Sequence, residues 1–191
     1  MRVVIATHNA HKVAELREVL GDLGEIELVG YDGPEPVEDG ATFAENALIK
    51  ARAAAEHTGL PAIADDSGIC VQALDGAPGI HSARYAGTRR DTDNVARLLA
   101  ELEGVEERAA EFVCAAALVD GGFEHVEIGV WPGSVLREPR GAGGFGYDPV
   151  FRPEGYEVAS AELEPGEKNA ISHRARAFRA LLPVLRGRMV R

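Results

Sequence analysis

Strand-like and helix-like patterns alternate through the N-terminal part of the chain, and this order limits the possible folds more than any other feature. An apolar run at residues 2–6 precedes a helical pattern at residues 11–20, and a short strand pattern at residues 27–30 precedes a second helix that extends to about residue 57. Thr42 and Glu45 form a capping box at the start of that helix. Strands that alternate with helices are typical of an α/β sheet with parallel strands.

The second half of the chain carries antiparallel signals. Two strand patterns, at residues 111–119 and 123–131, flank Asp120-Gly121-Gly122, which is a strong hairpin sequence. We expect a further strand at residues 134–137, a helix at residues 91–102 and a C-terminal helix at residues 167–182, which Pro183 ends or kinks. The sequence therefore predicts a mixed α/β fold with an antiparallel extension.

Composition limits the possible functions. With 191 residues, 46% of them hydrophobic, the chain suits a single globular domain. A net charge of -11 argues against broad binding of DNA or RNA, but it does not exclude a small anion carried with a metal ion. The chain has no apolar run of membrane length and no secretion signal, so we expect no membrane partner and a cytoplasmic location.

The two cysteines, Cys70 and Cys114, lie in apolar surroundings without the spacing of a metal site. We expect reduced core thiols rather than zinc ligands or a disulfide.

Two adjacent carboxylates, Asp65 and Asp66, follow the strand pattern of residues 61–64 and precede Ser67 and Gly68. Like charges this close repel each other unless a cation or a proton lies between them, so the pair suits Mg²⁺ binding or general-base chemistry on a water molecule. The same four residues are also ordinary for a solvated turn. Spacing alone leaves both interpretations open.

Cations occur at helix starts, where the helix dipole disfavours them. Lys12 lies in the first turn of the first helix, and Lys168, His173 and Arg174 lie near the start of the last one. Such cations indicate an anionic ligand, although one strand-turn-helix with a lysine is weak evidence by itself. In the second helix, Lys50 shares a face with the residue four positions before it, and a solvated surface lysine is the alternative.

Residues 141–151, GAGGFGYDPVF, form a glycine-dense loop that carries aromatic side chains. Glycines let the backbone approach a ligand closely, and an aromatic ring in such a loop can stack on a planar base. A long hairpin turn with Phe145 packed inward is the alternative. The loop lacks the patterns of a phosphate-binding P-loop and of a dinucleotide-binding turn.

Six motifs occur together, in this order: THNAHK at residues 7–12, ENALIKA at 45–51, ADDSGI at 64–69, GAPGIHSARYAG at 76–87, GGFGYDPVF at 143–151 and SHRARA at 172–177. In this respect the chain resembles the inosine/xanthosine triphosphate pyrophosphatase family, whose enzymes remove non-canonical purine nucleotides. The resemblance covers nearly the whole chain.

The resemblance implies Mg²⁺-dependent hydrolysis of dITP, ITP or XTP to the monophosphate and pyrophosphate. It implies that Asp66 is the general base and a metal ligand, with Glu38 and Asp65 assisting the metal. The substrate-binding residues that it implies are Thr7, His8, Asn9, Ala10, His11, Lys12, Lys50, Ser67, Phe145, Gly146, Tyr147, Asp148, Lys168, His173 and Arg174.

The family's architecture implies one two-lobed domain over residues 1–191, built on an elongated mixed sheet flanked by helices. It also implies an active site in the cleft between the lobes and a homodimer. His8 and His11 stand where many relatives have a glycine or another small or basic residue, so they depart from the family pattern. We expect donors on Arg174 or His173 to select the 6-oxo group of inosine and xanthosine over the amino group of adenosine.

Two other functions remain open at this point. One is a different Mg²⁺-dependent nucleotide hydrolase, for example one that releases orthophosphate or acts on modified pyrimidine nucleotides. The other is a non-catalytic nucleotide sensor.

Overall fold

The computed structural model describes residues 1–189, except for the side chains of Ala10, His11 and Met189. Its strands are β1 Arg2–Ile5, β2 Glu27–Gly30, β3 Ala62–Val71, β4 Ala109–Asp120, β5 Phe123–Val135 and β6 Phe151–Pro153. Its α-helices are α1 Ala10–Leu20, α2 Phe43–Thr58, α3 Asp91–Glu101, α4 Pro165–Ile171 and α5 His173–Met189.

The six strands form one sheet in the order β2-β1-β3-β4-β5-β6. Strand β1 pairs in parallel with β2 and β3, whereas β5 and β6 are antiparallel. Strands β4 and β5 are neighbours joined by Gly121 and Gly122, so the expected hairpin is confirmed. The mixed α/β fold class is confirmed as well.

Local signals define α2 well. The Thr42 hydroxyl accepts a hydrogen bond from the Glu45 N–H at 3.1 Å, as the capping box requires. The Glu45 carboxylate reaches one residue further back than expected and accepts from the Ala41 N–H at 2.6 Å. Gly59 ends the helix with a φ of 68°, a left-handed conformation that favours glycine.

The interpretation of residues 65–68 as a solvated turn is wrong, because β3 continues from Ala62 to Val71 without interruption. Gly68 makes this possible, since a Cβ at that position would lie 2.4 Å from both the Gly79 carbonyl oxygen and the Ser82 hydroxyl oxygen. A side chain there would collide with the neighbouring segment, whereas glycine lets the strand pass it.

The C-terminal region also differs from expectation. One helix was expected, but α4 ends at Ile171 and α5 then runs from His173 to Met189 with Pro183 inside it. Phe178, Leu181 and Leu185 are fully buried on α5, and their packing stabilises the helix across the missing proline N–H. The separate strand expected at residues 134–137 is wrong, because β5 extends to Val135.

Contacts divide the chain into two compact units. Unit 1 contains Met1–Asp66, Cys114–Gly129 and His173–Arg191, and unit 2 contains Ser67–Val113 and Val130–Ser172. Unit 1 has two apolar clusters, one that includes Ile5, Ile63 and Phe178, and one that includes Val4, Ala62, Ala64 and the alanines of α2.

Unit 2 has its own apolar cluster, which includes Ile69, Leu98, Phe112, Trp131 and Phe151. The rings of Phe112 and Phe151 meet edge to face with their centroids 4.6 Å apart, a favourable geometry for aromatic packing.

Both cysteines are free thiols, as expected. Burial, with a smaller effect of Glu111, raises the pKa of Cys70 to about 11. Among the helices of the described residues, none is long and apolar enough to cross a membrane.

Candidate active site

Strand β3 directs its two adjacent acids to opposite faces of the sheet. Side chains alternate along a strand, and Ile63 belongs to the cluster with Phe178, whereas Ala62 and Ala64 belong to the cluster on α2. Asp65 therefore lies on the α5 side and Asp66 on the α2 side. The like charges that a turn would place together are separated by the backbone.

On the α2 side, Lys50 links two carboxylates. Its ammonium nitrogen lies 3.1 Å from Asp66 Oδ1 and 3.1 Å from Glu38 Oε2. Asn46, one turn earlier on the helix, donates from Nδ2 to Asp66 Oδ2 at 3.3 Å. The Lys50 side chain is only 13% exposed, so the alternative of a solvated surface lysine is wrong.

Burial and charge act in opposite directions on this group. Burial raises the pKa of Asp66 above its ordinary value, and the attraction of Lys50 only partly offsets the effect. For Lys50, burial by itself would lower the pKa, but the negative charges of Asp66, Asp65 and Glu38 outweigh burial and raise it. Lys50 is therefore a fixed positive charge among acids.

On the α5 side, Asp65 is fully buried and receives two cations. Its Oδ2 accepts from Lys12 Nζ at 3.0 Å and from Arg174 Nε and Nη2 at 3.3 and 3.2 Å. Burial by itself would raise the pKa of Asp65, but the charges of Lys12 and Arg174 outweigh burial and lower it. Asp65 is therefore a permanently ionised anchor for two cations.

Arg174 has its guanidinium inside the protein, with the side chain only 3% exposed. Besides Asp65, it donates from Nη1 to Glu15 Oε2 at 2.5 Å. Glu15 lies on α1, three residues after Lys12, so α1 supplies both a cation and an acid to this network. Glu15 was not predicted from the sequence, because its partner Arg174 lies 159 residues away in the chain.

The turn before α1 is organised by its own side chains. The Thr7 hydroxyl accepts from the Asn9 N–H at 3.1 Å, and Asn9 Oδ1 accepts from the Lys12 N–H at 3.3 Å. His8 lies 3.2 Å from Glu35, and its ring stacks on Tyr31 with the centroids 5.4 Å apart. The expected contributions of the Ala10 and His11 side chains lie outside the described part of the structure.

The remaining expected residues fall in two places. Ser67 follows Asp66 in β3 and is half-buried, and His173 is buried at the start of α5. Phe145, Gly146, Tyr147, Asp148 and Lys168 all lie in unit 2. The structure thus collects Glu38, Lys50, Asp65, Asp66, Lys12 and Arg174 in unit 1, and a second group in unit 2.

In unit 2 the glycine-dense segment wraps around Asp148. The Phe145 N–H donates to Asp148 Oδ2 at 2.8 Å, and the Lys168 ammonium donates to the same oxygen at 2.7 Å. A Cβ at Gly144 would lie 2.1 Å from that oxygen, and Gly144 also has a φ of 70°, so only glycine fits there. The Lys168 ammonium lies 4.9 Å from the centre of the Phe145 ring, within the range of a cation–π contact.

The neighbouring aromatic residue is anchored inside unit 2. Tyr147 is buried, and its hydroxyl donates to the Ser82 carbonyl oxygen at 2.8 Å. Burial is the largest effect on the pKa of Tyr147 and raises it above its ordinary value. Tyr147 therefore holds the loop in place, while Phe145 is the half-buried ring beside the lysine.

The acids near Lys50 are the donors that suit a divalent cation. Among the described residues, no group of three or more His, Cys, Asp or Glu side chains is placed to hold a metal ion. Two carboxylates, those of Asp66 and Glu38, do converge on one positive atom. This donor set fits Mg²⁺, which is often held by one or two carboxylates together with water and substrate phosphates.

Comparisons with known proteins show which family the chain is similar to. The model of the Ham1 family matches residues 3–184. A protein of Leifsonia xyli subsp. xyli named dITP/XTP pyrophosphatase is 58% identical over 191 residues, covering 97% of this chain and 96% of its own length. A Streptomyces coelicolor protein of the same name is 54% identical over 194 residues, covering 97% of each chain.

A solved structure points the same way. The HAM1 protein from Coxiella burnetii matches with a TM-score of 0.89 and 45% identity, covering 97% of this chain and 98% of its own. The family expected from the six ordered motifs is thereby confirmed, and the chain belongs to the Ham1 family.

Proposed function

We propose that this protein hydrolyses the non-canonical purine nucleoside triphosphates dITP, ITP and XTP to the monophosphate and pyrophosphate. The observation that carries the proposal is the convergence of Asp66 and Glu38 on the Lys50 ammonium, each at 3.1 Å. Relatives named dITP/XTP pyrophosphatase match over nearly their whole length and support the same substrate class. A binding protein would not need a carboxylate placed to act as a base.

Asp66 and Glu38 would hold Mg²⁺, and the bound ion would neutralise charge on the phosphate oxygens and favour deprotonation of water. Asp65 supports this site indirectly. Its carboxylate is committed to Lys12 and Arg174, so it fixes the positions of cations and completes the acidic surroundings of Lys50.

The residues of unit 1 then have distinct tasks. Asp66 accepts the proton of a water molecule as the water oxygen bonds to the α-phosphorus. The bond from that phosphorus to the bridging oxygen breaks, and pyrophosphate leaves with the electron pair. Asn46 fixes the orientation of the Asp66 carboxylate through the bond to Oδ2, which leaves Oδ1 on the Lys50 side.

Positively charged side chains bind the triphosphate. The turn at residues 7–12, Lys50 and Ser67 bind phosphate and sugar oxygens, and Lys168 binds a phosphate in unit 2. Phe145 offers a ring for stacking on the base, and residues 146–148 shape its surroundings. The Arg174 guanidinium already donates hydrogen bonds to Asp65 and Glu15. This favours His173 for the direct contact with the 6-oxo group of the base.

The domain organisation, the oligomeric state and the cellular location are further parts of the proposal. Relatives of the same length support one functional domain over residues 1–191, built from the two units. A homodimer and a cytoplasmic location remain expectations from the family resemblance. The net charge of -11 supports a small-molecule substrate rather than a nucleic acid.

A substrate panel tests the proposal. Purified protein is incubated with Mg²⁺ and either dITP, XTP, dGTP, dATP or dUTP, and pyrophosphate and orthophosphate are measured separately. We expect pyrophosphate from dITP and XTP, with kcat/KM at least about a hundredfold above the value for dATP, because a donor left unpaired by adenine costs several kcal/mol. The Asp66→Asn variant, purified and assayed in the same way, shows how much phosphate release comes from contaminating phosphatases.

Each alternative has its own signature in this panel. Orthophosphate as the main product, or a preference for dUTP, would assign the chain to another class of nucleotide hydrolase. Tight binding of dITP without turnover in the presence of Mg²⁺ would favour a sensor.

A further inference from the structure

The carboxylate of Asp148 is held by three donors inside unit 2. Its Oδ2 receives the Phe145 N–H and the Lys168 ammonium at 2.8 and 2.7 Å. Its Oδ1 receives the hydroxyl of Ser160 at 2.9 Å. The first two donors belong to groups proposed to contact the nucleotide, whereas Ser160 has no assigned role.

Ser160 is placed to act through Asp148 and not through solvent. It lies in a short 3-10 helix, Ser160–Glu162, and is 1% exposed, between the buried residues Ala159 and Ala161. Water cannot easily replace its hydroxyl in such surroundings. A buried hydrogen bond to a charged acceptor is stronger than a neutral or exposed one.

The same turn also holds the other end of the glycine-dense loop. The Ala161 carbonyl oxygen accepts from the Gly143 N–H at 3.0 Å. The turn is itself closed by Glu162, whose carboxylate accepts from the Ala159 N–H at 2.7 Å. Residues 143–148 are thus tied to one short turn at their first residue by the backbone and at their last by Ser160.

We propose that Ser160 is a positioning residue for nucleotide binding. Its hydroxyl fixes the rotation of the Asp148 carboxylate, and that carboxylate places the Lys168 ammonium beside the Phe145 ring. This proposal rests on the proposed function, since it takes Lys168 and Phe145 as nucleotide-binding groups.

Removal of the hydroxyl has a defined consequence. In Ser160→Ala, Asp148 Oδ1 loses a buried donor, and the carboxylate can turn away from Lys168 and from the Phe145 N–H. The ammonium and the ring then lose their common position, which weakens substrate binding. Asp66 and its partners belong to unit 1 and keep their contacts, so the chemical step is unaffected.

An exposed contact to the same loop provides a contrast. Asp91 accepts from the Gly146 N–H at 2.7 Å, but this hydrogen bond is exposed to solvent. Water can replace an exposed donor or acceptor at little cost, so Asp91 contributes less to loop position than Ser160.

The experiment measures kcat and KM for dITP in wild type, Ser160→Ala and Ser160→Cys. We expect Ser160→Ala to raise KM about tenfold and to leave kcat within about twofold, the pattern of lost ground-state binding. Ser160→Cys keeps a weaker donor of similar size and should give an intermediate KM. Ser134→Ala is the matched control, because Ser134 is a half-buried serine of β5 in unit 2 whose hydroxyl accepts a hydrogen bond from Arg152 at 3.4 Å.

A direct binding measurement separates this proposal from the proposed function. Isothermal titration calorimetry with dITP, in the absence of Mg²⁺, compares the affinity of the wild type with that of Ser160→Ala. A wild type that releases no pyrophosphate from dITP would overturn the proposed function, while weaker dITP binding by Ser160→Ala would still support the role of Ser160. Urea denaturation shows whether each variant is folded.

The opposing results are equally clear. A KM and a dITP affinity within twofold of the wild type in Ser160→Ala would overturn the proposal, as would a fall in kcat at unchanged KM. If Ser160→Ala does not fold, Ser160→Cys decides: a raised KM supports the positioning role and a wild-type KM overturns it.

Discussion

The Lys50 ammonium lies 3.1 Å from Asp66 and 3.1 Å from Glu38, between the two carboxylates proposed to hold Mg²⁺. In the nucleotide-free protein this internal cation neutralises the acids in advance. A divalent ion that approaches them alone meets a positive charge, whereas an ion that arrives with a triphosphate brings anions to which Lys50 can turn. The arrangement favours binding of the metal together with its substrate.

Lys50→Gln therefore should bind free Mg²⁺ more tightly than the wild type, by at least about tenfold, because a neighbouring positive charge is removed. Calorimetric titration with MgCl₂ in the absence of nucleotide measures this. Arg52→Gln is the matched control, since Arg52 is an exposed cation on the same helix that pairs with Glu124. Equal or weaker Mg²⁺ binding by Lys50→Gln would contradict the interpretation.

Asp66→Asn should lower kcat for dITP by about 10²–10⁴-fold, because the amide cannot accept the proton of the attacking water. KM should change much less, since Lys12, Lys50 and Lys168 remain. Steady-state release of pyrophosphate gives both constants. Asp39→Asn, an exposed acid in the segment that carries Glu38, is the control and should retain wild-type kcat. An active Asp66→Asn would remove this residue from the role of base.

Asp65→Asn should destabilise the protein by about 3–5 kcal/mol at pH 7, because the buried Arg174 and the half-buried Lys12 lose the anion that they share. Burial alone would raise the pKa of Asp65 in the folded protein, but the charges of Lys12 and Arg174 outweigh burial and lower it. Its stabilising contribution is therefore present above the unfolded pKa of about 3.9 and is lost as the pH falls towards the folded value.

Urea denaturation at a series of pH values tests this sign. The difference in unfolding free energy between wild type and Asp65→Asn should be constant from pH 7 to about 5 and should shrink below about pH 4. A difference that grew on acidification would mean that the folded protein raises the pKa of Asp65.

Gly68→Ala should cost about 1–3 kcal/mol of stability, because the new methyl group would press on the Gly79 carbonyl and the Ser82 hydroxyl. Thermal and urea unfolding measure the loss. Gly30→Ala is the matched control, since Gly30 is also a strand glycine but has no atom within 4 Å of an added Cβ. Equal stabilities of the two variants would show that the close approach at Gly68 is relaxed easily.

Local patterns predicted most of the fold. Helices α1, α2 and α3 begin and end close to their expected positions because apolar periodicity and capping residues are properties of neighbouring residues. The choice between a turn and a charged site at residues 65–68 could not be made from local patterns. Two acids next to Ser67 and Gly68 resemble a turn until the cations that neutralise them are known, and Arg174 lies 109 residues from Asp65 in the sequence.

In the candidate site, too, local patterns were visible in the sequence and tertiary contacts were not. Lys12, Lys50 and Lys168 stood out because a lysine at a helix start or beside an amide on one face is locally unusual. Glu15 and Ser160 did not, because their partners Arg174 and Asp148 are brought to them only by tertiary folding. Burial of Arg174 and its pairing with Asp65 and Glu15 were also invisible in the sequence, and its contact with the base stays a prediction.

The alternation of side chains in β3 gives two neighbouring acids different surroundings. One acid can be fixed in its ionised state for architecture while the next remains available for chemistry, although a single peptide bond joins them. The cost is sensitivity to register. Loss of one residue before Asp65 would place Asp66 beside the structural cations and leave Lys50 opposite Ser67. Gain of one residue would place Asp65 opposite Lys50 and leave the structural cations beside Ala64.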